Sequence, residues 1–148
     1  MDASSTTVTA DADNVAWWMR MAVGDLVGAR ASLTAAEVPV REAAFMAHQA
    51  AEKALKATIL WIGMEPPWTH DLVGLRLRAP EAVRAATLHL DITALAGAAV
   101  AARYPDPDDA PYGHDEVGRF LATASEIVEV SRAYLATTGL DLGAIEPA

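Results

Sequence analysis

A chain of 148 residues with a formal net charge of −9 and no cysteine is long enough for one domain whose core buries about two-thirds of the unfolded chain's surface, and it excludes disulfides and cysteine-bearing zinc sites. The negative balance argues against a protein built to coat nucleic acid, because its overall field repels phosphate, but it leaves room for a local basic pocket. Hydrophobic content is 53%, yet the longest stretch free of Asp, Glu, Lys, Arg and His runs from Ile92 to Ala102, 11 residues that are too few to span a bilayer.

Residues 1–13, "MDASSTTVTADAD", have neither a basic nor an apolar region and read as a flexible leader, not a signal peptide, which points to a cytoplasmic protein. Apolar residues then recur at three and four (Val15, Trp18, Ala22, Leu26, Ala29, Leu33), the period of an amphipathic helix, with Asp13 as its expected N-cap. A second helix is expected from Pro39 to a stop at Gly63. Thr69 is the expected cap of a short helix, "HDLVGLRLRA", ended by Pro80, and a longer helix should follow from Glu81 to about Arg103, closed by Pro105. The stretch "YPDPDDAPYG" is a loop by its three prolines and three aspartates. The last helix should start near His114, with Asp115 and Glu116 favoured at its positive end, and stop before Gly139; residues 137–148 are a loosely held tail. No alternating strand pattern appears. The expectation is an all-α, up-and-down bundle of four long helices plus one short helix over residues 14–136.

Arginine occurs nine times and lysine twice, and both lysines lie in "AHQAAEKALKA", residues 47–57. At about 100° per residue, His48 falls with Leu55, Ile59 and Ile62 on an apolar side, and Gln49, Glu52, Lys53 and Lys56 form one narrow polar strip. The plain reading is a solvated stripe, with Glu52 and Lys56 as an i, i+4 pair.

Three segments, "AFMAHQAAEKALKATILWIG" at 44–63, "EPPWTHDL" at 65–72 and "ARYPD" at 102–106, resemble in order and spacing the HEPN domain, named for higher eukaryotes and prokaryotes nucleotide-binding; "DLVGAR" at 25–30 is similar to an acidic-leucine segment of its first helix. The resemblance implies a bundle of four or five helices that commonly forms a homodimer. It also implies a small nucleotidyltransferase partner in a two-component or toxin-antitoxin system. On that footing the polar strip becomes a candidate nucleotide or phosphate site: His48, Gln49, Glu52, Lys53 and Lys56, with Arg103 as an anion clamp and Tyr104 as a stacking face.

Some members of the family are metal-independent ribonucleases with an Arg, four to six residues, and a His. Here Arg103 and His114 are separated by ten residues, so that motif is not met. His is the side chain suited to activate a 2′-hydroxyl near neutral pH, and Arg is a poor acid or base. The favoured reading is therefore a non-enzymatic binding module, with no cofactor, that takes nucleotide or RNA. The alternatives are an endoribonuclease toxin using Arg103 and His114, or an interaction scaffold. A metal is not expected, since His48 and Glu52 have no second pair at ligand spacing and Asp106, Asp108 and Asp109 lack a calcium-loop pattern. His70 and Asp71 read as N-terminal capping, Gly24 and Gly28 as sites of close helix approach, and the four tryptophans as core or interface.

Overall fold

The computed structural model describes residues 11–104 and 112–143, and these form helices α1 (Ala12–Thr34), α2 (Val40–Trp61), α3 (Leu72–Arg78), α4 (Glu81–Thr87), α5 (Ile92–Arg103) and α6 (His114–Thr137). The segment 105–111, with Asp106, Asp108 and Asp109, lies outside the described residues, as do 1–10 and 144–148. No strand occurs among the described residues, and no single helix there is long and apolar enough to cross a membrane.

Helix α2 is the axis. It packs against α1, α3, α5 and α6, and Ala43, Ala44, Ala47, Ala50, Ala51, Ala54 and Ala57 are all fully buried along it. Short side chains let neighbouring backbones approach closely, so the alanine bias is a packing device that also favours helix. Larger side chains, among them Met19, Leu55, Leu75, Leu95 and Ile127, fill the space between the helices. Cross-links fix the directions. Asp25 meets Lys53 and Trp18 meets Lys56, so α1 and α2 are antiparallel. His114 at the start of α6 meets Leu33 near the end of α1, and Trp61 at the end of α2 donates to Thr138 at the end of α6. Thus α1 rises and α2 and α6 descend, as an up-and-down bundle requires.

Glycines stop α2 and α6 in the same way. Gly63 (φ 82°) and Gly139 (φ 117°) occupy the left-handed region. The amides of Gly63 and Met64 reach back to Leu60 and Ile59, and those of Gly139 and Leu140 to Ala136 and Leu135, the paired bonds of a Schellman ending.

Four expectations need correcting. The N-cap of α1 is Asp11, whose carboxylate accepts from the amides of Asp13 and Asn14; Asp13 sits inside the first turn, where its charge suits the dipole. Asp71, not Thr69, caps α3, accepting from the Val73 amide, and the Thr69 hydroxyl accepts from the Asp71 amide. The helix expected from Glu81 to Arg103 is two helices at 89°. Asp91 caps α5 through the Ala94 amide, and the Arg76 guanidinium takes up the carbonyls of Thr87 and Leu90 that the break releases. Finally, Leu140 and Leu142 pack against the core, so the tail is held at least that far.

Candidate functional site

The polar strip of α2 divides into three separate arrangements. His48 and Glu52 turn inward: His48 is fully buried and Glu52 is only 3% exposed. Both are met by His70, on the loop between α2 and α3. The His70 Nδ1 donates to Glu52 Oε1 at 2.6 Å, and the His70 backbone carbonyl lies 3.1 Å from His48 Nε2, which donates to it. A buried carboxylate requires such a donor, since desolvating the charge without a partner costs several kcal/mol, about as much as the bond repays. Glu52 therefore engages His70 and does not belong to a solvated stripe. His70, in turn, does not cap α3.

Lys53 turns toward α1, where its Nζ lies 2.5 Å from Asp25 Oδ2. Both side chains are mostly buried, at 18% and 24% exposure, so this pair is a tie between helices. Gly28, one turn beyond Asp25, lies against the Met46 thioether, where an added Cβ would sit 3.1 Å from Sδ; this is the close approach expected of "DLVGAR".

Lys56 faces a cleft between α1, α2 and the loop that follows α2. Its ammonium lies 6.0 Å from the centroid of the Trp18 ring, near the outer limit for a cation–π contact. Trp17 stands edge-on to Trp18 with centroids 5.5 Å apart. Opposite them the chain turns through Pro66 and Pro67 to Trp68, and Glu65 adds one acidic group. The cleft encloses about 340 Å³, within the range of small-ligand sites. Prolines fix φ and remove donors, so the loop presents a stiff, apolar wall. The Trp68 side chain is fully exposed.

The other candidates sit elsewhere. Gln49 is half-buried on α2. Arg103 is the last residue of α5, and its side chain is outside the described set; Tyr104 caps that helix through its amide to Val100 and is 76% exposed. His114 donates from Nε2 to the Leu33 carbonyl at 3.0 Å, which ties the start of α6 to the end of α1. Sequence reasoning gave no weight to Trp18, Trp68, Glu65 or the His70–Glu52 contact as parts of a site. The partners are 18 residues apart in that contact and 22 apart in the His48–His70 contact, and only the climb of the loop back along α2 joins them.

Comparison with known proteins settles the family. The HEPN domain model matches residues 15–134, from the first turn of α1 almost to the end of α6. The chain is a member of the HEPN family. The HEPN fold is shared by TT1696 from Thermus thermophilus, a solved structure that is 27% identical, with 84% of this chain and 98% of that chain covered and a TM-score of 0.65. No curated protein matches the sequence. Both the polar strip and the cleft lie within the HEPN match.

Proposed function

We propose that this HEPN domain is a nucleotide-binding module that holds an aromatic base and a phosphate in the cleft beside α2. The observation that carries the reading is Lys56 set over Trp18 inside an aromatic and proline-walled cleft. Tryptophan faces accept any base by stacking, and an adjacent ammonium supplies the charge a phosphate needs. Of the two lysines in the chain, Lys53 is occupied by Asp25, so Lys56 is the one that addresses the cleft. Arg103 and Tyr104 join the proposal as a second anion and stacking contact. Family membership supports a homodimer working with a small nucleotidyltransferase in a two-component or toxin-antitoxin system inside the cytoplasm. The exposed Trp17, Met64 and Trp68 offer apolar surface for such a partner.

The test is thermal unfolding with a panel of nucleotides and short RNAs, in the wild type, Lys56→Ala and Arg103→Ala. A ligand at about 100 times its Kd adds about 2.7 kcal/mol to stability, or roughly 5–10 °C in a domain of this size. The expected result is a shift in the wild type that shrinks in both variants. No shift with any nucleotide or RNA in the wild type refutes the proposal.

A further inference from the structure

Glu52 and His70 form a dyad that nucleotide binding by stacking and charge alone does not use. The Glu52 side chain is 5% exposed, and that of His70 is 55% exposed. An ionised carboxylate can only accept a hydrogen bond. The ring proton of neutral His70 must therefore sit on Nδ1, at 2.6 Å from Glu52 Oε1, and Nε2 is left as an acceptor. The residue is held at its other end as well, because its carbonyl accepts from buried His48. Among the described residues nothing satisfies His70 Nε2. A ring fixed in one tautomer, fastened through side chain and backbone, with its acceptor nitrogen on the open side, is the arrangement that orients a histidine toward something outside the protein.

What that nitrogen can accept is constrained by its neighbours. Phosphate oxygens are acceptors and give it nothing; a hydroxyl gives it a donor. His70 follows Trp68 by two residues, on the loop that walls the cleft. Its partner Glu52 is one helical turn from Lys56, and i, i+4 residues on a helix have Cβ atoms about 5–6 Å apart. A ligand that stacks on tryptophan and gives its phosphate to Lys56 must carry a sugar between the two. We infer that His70 Nε2 is the acceptor for a ribose hydroxyl, so that the site selects ribonucleotides, with Glu52 as the positioning residue that fixes the tautomer. The inference rests on the nucleotide-binding reading and adds the sugar to it.

The experiment compares equilibrium binding of a ribonucleoside monophosphate with that of its 2′,3′-dideoxy counterpart, by calorimetry on the full chain at pH 7.5. One neutral hydrogen bond to a ligand is worth up to about tenfold in Kd. The wild type should prefer the ribonucleotide by about that factor. His70→Asn keeps a donor for Glu52 but has no atom at the Nε2 position, and its preference should fall to near unity. Glu52→Gln keeps the volume at position 52 but removes the charge that selects the tautomer, and should reduce the preference part-way. Circular dichroism melts of both variants report whether the loop still closes. Equal affinity for the two ligands in the wild type overturns the inference and needs no variant; so does a preference that persists in His70→Asn. In both cases the nucleotide reading stands. Failure of the wild type to bind either ligand removes the nucleotide reading, and the inference with it.

Discussion

If Lys53 is a structural tie and not a ligand group, breaking its contact with Asp25 should cost stability that a double-mutant cycle can isolate. At 2.5 Å and an effective dielectric of about 20, the gross attraction is about 6–7 kcal/mol. Desolvating two mostly buried charges removes most of that, which leaves the net value of a charged hydrogen bond, about 1.5–3 kcal/mol. Asp25→Asn should therefore destabilise the protein by about 2 kcal/mol, since it leaves an unpaired ammonium between α1 and α2. Lys53→Met should cost less, because the methionine keeps the apolar stem packed. The double variant should be more stable than the sum of the two losses predicts, with a coupling of about 1 kcal/mol or more in urea unfolding. In the nucleotide assay the double variant should retain a thermal shift. A coupling below about 0.3 kcal/mol, together with a shift lost in the double variant, would mean that Lys53 serves the ligand and that the pair with Asp25 carries no weight.

Three further outcomes follow from the same geometry. Asp91→Ala removes the cap of α5 at the Ala94 amide and should cost about 1 kcal/mol, whereas Asp91→Ser should be close to neutral; thermal melts of the two variants check this. Gly63 and Gly97 both have open space around an added Cβ, but only Gly63 has a positive φ, 82°. Alanine should thus destabilise by about 1 kcal/mol at position 63 and stabilise by up to about 1 kcal/mol inside α5 at position 97, measured as opposite shifts in the urea midpoint. Hydrogen bonding to Arg132, the largest cause, lowers the Glu129 pKa below the ordinary carboxylate range. The pair's contribution is then present above the unfolded glutamate pKa and lost as pH falls through the lower folded value. It is an exposed pair worth about 0.3 kcal/mol after screening, so Arg132→Ala should return the Glu129 titration, followed by NMR, to the ordinary range and leave neutral-pH stability almost unchanged.

The fold class was legible before any coordinates, because apolar residues at three and four spacing and the alanine-rich 44–63 segment have one economical solution, helices that bury a stripe and pack closely. Gly63 and Gly139 announced two helix ends for a local reason, the left-handed φ that other residues resist. The motifs "AEKALKA" and "THDL" also placed the chain near the HEPN family, and the match over residues 15–134 agrees. The break between α4 and α5 was partly legible in Asp91, a good capping residue in mid-pattern, but a long apolar periodicity concealed it. What a wheel could not separate was the fate of four polar residues within one turn and a half. Glu52, Lys53 and Lys56 project in neighbouring directions, yet one meets His70, one Asp25 and one Trp18. Those partners come from α1 and from a loop that folds back along α2, and burial of a charge is decided by which neighbour arrives with the complementary group. Periodicity fixes the direction of a side chain; only tertiary packing decides what it finds there.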